Sequence, residues 1–297
     1  MKSNYIEFKK KRELGDVLSD SFAFLRGQLK PLLITYFKIV GPYLLVLLIS
    51  FGGYFYALSS IFDFVSYDIE TSNEAYTIIL TIVVVIVLMI SGIATAVMSQ
   101  SSILYFIESY IENNGTTDFT TIRKKVYQNF WSFFGLGIII GLSVGIGMMF
   151  CIIPGIYLYV PLSLAFAIYV FSKKNVMDSY NYSFTLIKEE WWITFATIFI
   201  IGIIVGIAGA AFSMPATIYS WIKLGLSAGE YDAETSPFGL YTDPIYLILY
   251  IVGMIFRFVL NIISIVAGVL IYFNLNEKKN FTGTFERIQN LGKTPEN

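Results

Sequence analysis

The chain has 297 residues, of which 56% are hydrophobic and 14% charged, with 26 Phe, 21 Tyr, no His, one Cys and a formal net charge of -1. Soluble domains carry about 25% charged residues, so this composition excludes an ordinary water-soluble globule. Without histidine the commonest general base, proton shuttle and metal ligand is missing, and the lone Cys151 excludes an intrachain disulfide and a cysteine metal cluster.

No cleavable signal sequence is expected, because hydrophobic sequence starts only near Pro31 and is too long for a signal core. Residues 9–30 place Leu14, Val17, Leu18, Phe22, Leu25 and Leu29 at helical spacing among charges. That pattern predicts an amphipathic segment over 1–30, lying on the inner membrane surface or capping the bundle from water. Pro31 to Phe62 reads as the first span, tilted or kinked at Gly41-Pro42, with Lys38 close enough to its start to reach the inner interface.

Ala75 to Ser99 contains no charge in 25 residues. At about 1.5 Å per residue it crosses a hydrocarbon core of about 30 Å, which makes it the strongest sign of a membrane protein. The helix is expected to project toward Glu112. Glu108 and Glu112 lie one turn apart, and with no histidine or metal motif beside them they read as solvated carboxylates rather than an acid–base pair.

After a short basic amphipathic piece, Phe130 to Ile153 is the third span. Its Gly137, Gly141 and Gly145 recur at four-residue intervals and predict a helix-packing face. Pro154-Gly155 predicts a tight turn into a short fourth span, Ile156 to Phe171, closing a hairpin. Another surface segment leads to Trp191-Trp192, expected as interface anchors. The fifth span starts at Ile193 and carries Gly202, Gly206 and Ala210 as a second small-residue face. The sixth runs from Pro244 to Phe273, and 274–297 reads as a polar, loosely ordered cytoplasmic tail. The expected architecture is all-α and polytopic, a membrane domain over 31–273 with about six spans and amphipathic inner-surface helices.

Charge sets the orientation. Segments on the side of the termini hold 17 of the 20 basic residues, whereas the opposite side holds Lys223 and eight acids, among them Asp63, Asp68, Glu70, Glu230 and Asp243. Both termini are therefore expected in the cytoplasm, with the chain integral to a bacterial cytoplasmic membrane. The order surface helix, span, span recurs three times, with Ser21-Phe22 and Ser183-Phe184 offset by 162 residues. Internal repetition and the shared demands on any inner helix joined to a span both produce this order.

Arg257 is the sharpest position. It lies thirteen residues beyond Pro244, near mid-bilayer, with Asn261 one turn further on the same face. The two, with Lys38, are candidate contacts for an anion or lipid headgroup; the alternative is an arginine that packs against carbonyls. No catalytic constellation, cofactor site, metal site or nucleic-acid motif is legible.

Residues 154–195, PGIYLYVPLSLAFAIYVFSKKNVMDSYNYSFTLIKEEWWITF, carry Pro154, Gly155, Ile156, Ser183, Leu186, Trp191 and Trp192 in an ordered pattern. The pattern resembles the membrane domain found beside bacterial glycerophosphodiester phosphodiesterases and its stand-alone relatives, and residues 14–22 resemble the start of such domains. The resemblance implies a helical membrane domain without chemistry of its own, since the catalytic barrel of the fused relatives is absent. The leading expectation is a non-enzymatic accessory or scaffold subunit of an envelope assembly, with membrane lipids and an envelope protein as partners. The alternative is a transporter or lipid-handling protein that binds an anionic group near Arg257.

Overall fold

A computed structural model describes residues 5–67, 74–227, 240 and 243–291. The described residues are 89% helical, with no strand among them. The helices are α1 (Leu14–Tyr67), α2 (Glu74–Glu112), α3 (Phe119–Gln128), α4 (Phe130–Phe150), α5 (Ile152–Leu162), α6 (Ala165–Phe171), α7 (Val176–Ile187), α8 (Trp191–Ser227), α9 (Pro244–Asn280) and α10 (Thr282–Leu291). Among the described residues, six helical stretches are long and apolar enough to cross a membrane, the fourth being α5 and α6 taken together. This is an all-α polytopic membrane protein. Along the window of α2 that would cross, only 6% is buried within the chain, and Ile79, Ile82, Ile86, Met89 and Ile90 are exposed, as expected of a helix facing lipid.

The helices divide between two compact units. Unit 1 comprises 1–39, 97–204 and 262–297. Its core includes Ile103, Ile107, Ile122, Val126, Phe133, Leu136, Ile168 and Val266, all buried. Ahead of α1 the chain forms a strap in which Phe8 is buried and meets Phe24 and Phe273 edge-on at 5.2 and 5.8 Å. Arg12 locks the strap: its Nη1 donates to the Phe8 carbonyl at 2.7 Å, its Nη2 to the Glu7 carbonyl, and its Nε to Asp20 at 2.9 Å. Unit 2 comprises 40–96 and 205–261, with a core of Leu44, Leu47 and Leu48 against Phe51, Leu88, Ile251, Met254, Ile255 and Phe258.

Several expectations change. Residues 14–30 are not a separate surface element, because α1 runs unbroken through Pro31 and Gly41-Pro42 to Tyr67. Chain reversal before the fourth span occurs at the extended Cys151, not at Pro154-Gly155. Pro154 instead sits in the first turn of α5, where a missing N–H costs nothing, and Gly155 lets α5 touch α4. The hairpin is close, as expected, but through other glycines. A Cβ on Gly147 would lie 3.1 Å from Gly155 Cα, and one on Gly155 would lie 2.9 Å from Met148 N.

At Gly141, Gly145, Gly202 and Gly206 an added Cβ would have nothing within 4 Å, and Ala210 is exposed; only Gly137 has a neighbour, Phe166 at 3.7 Å. Four-residue spacing shows that a face is small, but bulky side chains on the neighbouring helix decide which face packs. The tail is helical rather than loose through Leu291. Glu277 makes this possible, accepting from the backbone N–H of Gly283 at 2.6 Å and Thr284 at 2.9 Å, the donors left open at the start of α10. The outer acids at 68–70 and 230–234 lie outside the described residues.

Candidate functional site

Within unit 2, α8 and α9 approach closely because Gly253 has no side chain: a Cβ there would lie 3.2 Å from the Phe212 carbonyl oxygen. Phe212 and Phe256 stack at 4.0 Å and 9°. Beside this contact is a cleft of about 540 Å³. Ser213, Thr217, Ser220, Tyr246, Arg257 and Asn261 give its lining polar groups, and Leu249, Met254 and Phe258 apolar ones.

Ser213 Oγ donates to the Gly209 carbonyl at 3.0 Å and accepts from Arg257 Nε at 3.2 Å. That hydroxyl is the guanidinium's one hydrogen-bond partner among the described residues, and no carboxylate pairs with it there. A guanidinium carries five N–H donors, so most of those on this cleft-lining side chain have no partner among the described residues. Asn261 is exposed to the same cleft.

The helix ends that frame unit 2 are tied by Asp243. Its Oδ1 accepts from the backbone N–H of Ile245 at 2.9 Å, and its Oδ2 meets Lys223 Nζ and Tyr219 Oη, each at 2.9 Å. The Lys223 bond is the main reason its carboxyl is pulled down to about 2, so the tie stays ionised at any ordinary pH. Asp243 with Pro244 at the first helical position is a strong helix start.

The structure brings Arg257 and Asn261 together but leaves Lys38 apart. Lys38 belongs to unit 1, where its Nζ lies 5.3 Å from the centre of the Phe119 ring, and it does not line the cleft. Reading the sequence alone misses Ser213, Thr217 and Ser220. Their i, i+4, i+7 spacing along an otherwise apolar span is the available signal.

Trp192 is 76% exposed, whereas Trp191 is engaged within the chain. Pro161 cannot donate to the Tyr157 carbonyl one turn back in α5, and the Trp191 indole N–H donates to that oxygen instead, at 3.4 Å. Trp131 and Trp221, which the sequence pattern does not mark as anchors, are comparably exposed at 74% and 73%.

Glu108 is not solvated: it is buried and holds Lys125 Nζ at 2.7 Å, with Glu112 at 3.4 Å from the same ammonium. Burial alone would lower the Lys125 pKa, but the two carboxylates outweigh it and leave it raised. The pair is structural, stapling α2 to α3. Among the described residues no cluster of three or more His, Cys, Asp or Glu could hold a metal ion.

Compared with protein-family models, curated proteins and solved structures, the chain matches none.

Proposed function

We propose that this chain is a non-enzymatic lipid-handling or transport protein that holds the anionic group of an amphiphile in the α8–α9 cleft. The observation that carries the reading is Arg257, charged, in mid-span, bonded to one neutral hydroxyl and open to a cleft of about 540 Å³. An arginine at the centre of a membrane helix costs about 3 kcal/mol on insertion scales, and a phosphate or carboxylate would offset that cost with charge-assisted hydrogen bonds. A lining that holds both polar and apolar side chains suits a ligand with an anionic head and a hydrocarbon body. A sealed, dry bundle around Arg257 would have favoured the accessory-subunit reading.

The distribution of basic residues further supports both termini lying in the cytoplasm of a bacterial cell. Resemblance of 154–195 to the phosphodiesterase-associated membrane domain supports a chain without hydrolytic chemistry of its own.

Native mass spectrometry after gentle extraction tests the reading. The native chain is expected to retain a stoichiometric anionic ligand that Arg257→Met loses and Arg257→Lys partly keeps. Ligand content unchanged in Arg257→Met overturns it, as does a chain that retains only a protein partner.

A further inference from the structure

A second cleft lies in unit 1, separate in its residues from the first. It has a volume of about 560 Å³ and is lined by Tyr105, Glu108, Lys125, Asn129, Ser132, Tyr169 and the loop 173–175. Three of these residues are lysines, and they differ in how they are occupied. Lys125 is committed to Glu108 and Glu112, which also neutralises the one acid in the lining. Lys174 Nζ lies 4.7 Å from the centre of the Tyr182 ring. Lys173 is exposed and has no partner among the described residues.

Lys173 is also one of three non-glycine residues with a left-handed backbone among those described, at φ 51°. Glycine or asparagine adopts that conformation far more readily, and a β-carbon there is strained. A lysine at a position where glycine would relax the loop is the kind of local conflict found at binding sites. The loop leads straight into α7, a helix of 12 residues. Asn175 Oδ1 caps the Asp178 N–H at 2.8 Å, so the N–H groups of Val176 and Met177, which have no intrahelical acceptor, stay open next to the two lysines. Behind the loop, Asn129 holds the wall in place: its Nδ2 donates to the Lys125 carbonyl and its Oδ1 accepts from Tyr169 Oη, both at 2.9 Å. Ser132 adds a hydroxyl without a hydrogen bond among the described residues.

We infer that this cleft binds a phosphate group, held by Lys173, Lys174, Ser132 and the first N–H groups of α7. Its surroundings lie in segments that charge distribution assigns to the cytoplasmic side, so the phosphate comes either from an inner-leaflet phospholipid or from a soluble phosphate. The phosphate site stands independently of the reading at Arg257.

Titration calorimetry of the full chain in neutral detergent, with dihexanoyl phosphatidylglycerol and with inorganic phosphate as probes, tests it. Lys173→Gln combined with Lys174→Gln is expected to weaken probe binding by about tenfold or more, while Lys188→Gln, an exposed lysine outside the cleft, leaves it unchanged. Lys173→Gly should also weaken binding yet raise the melting temperature, because it relaxes the left-handed position. Binding of the lipid probe alone supports a lipid source, and binding of both supports phosphate from either source. No binding to the native chain, equal binding in the double variant, or an equal loss in Lys188→Gln overturns the inference. Repeating the titration in Arg257→Met separates failure here from failure at the α8–α9 cleft.

Discussion

At the scale of single residues, charged groups in this protein carry identifiable duties. Asp118 caps α3, accepting from the N–H groups of Thr120 and Thr121 at 3.1 Å each. Hydrogen bonds from the Thr121 and Thr120 hydroxyls are the leading reasons its pKa is lowered from 3.8 to about 2. A depressed carboxylate contributes stability that is full above its unfolded value and fades as pH falls through the folded one. Amide protection in α3, taken relative to the intrinsic exchange rate at each pH, should therefore fall between pH 4 and pH 2, and Asp118→Ala should show the lower protection already at pH 7, without that pH step. Glu108 offers a second test. Its side chain is 9% exposed and its partner Lys125 31%, between the surface and buried regimes. Glu108→Ala should lower stability by about 1–2 kcal/mol in thermal unfolding, and Glu112→Ala by much less, since Glu112 is solvated and more distant.

At the scale of elements, the α4–α5 hairpin turns on two glycines that face each other. Gly155→Ala drives a methyl into the Met148 backbone, so destabilisation of about 1–3 kcal/mol is expected in the detergent-solubilised chain. Gly145→Ala meets open space and should stay within about 1 kcal/mol of neutral. The reverse ranking would mean that Gly145 packs against another chain. Similar logic explains the joint between α5 and α6. Pro161 frees a carbonyl in α5, and the indole of Trp191 at the start of α8 takes it up. Backbone groups within a membrane need partners, and here a side chain from another helix supplies one.

For the whole molecule, orientation is the property with the widest consequence, and Cys151 is a built-in reporter. It is the one cysteine in the chain, is exposed, and joins α4 to α5 at the end opposite the basic segments. A membrane-impermeant maleimide should modify Cys151 on intact cells. In a Cys151→Ser chain, Lys188→Cys should react only after permeabilisation. Labelling of Lys188→Cys on intact cells would invert the topology and with it the side from which each cleft is reached.

The sequence by itself determined that this is a helical membrane protein, how many helices can cross, and where Arg257 and Asn261 fall along the last of them. Those properties follow from uncharged length and helical period, both local along the chain. It also carried the charge asymmetry on which the proposed orientation rests. Which faces pack was decided only by tertiary structure. Gly202, Gly206 and Ala210 promised a contact that Gly253 and Gly147 make, because a small residue permits approach but only a neighbour's bulk demands it. The same holds for charge. Glu108 reads as solvated until α3 brings Lys125 to it from 17 residues away, and the tail reads as loose until Glu277 folds its own carboxylate over the start of α10. The clefts are the clearest case, since a void belongs to no residue and exists only where packed helices leave space between them.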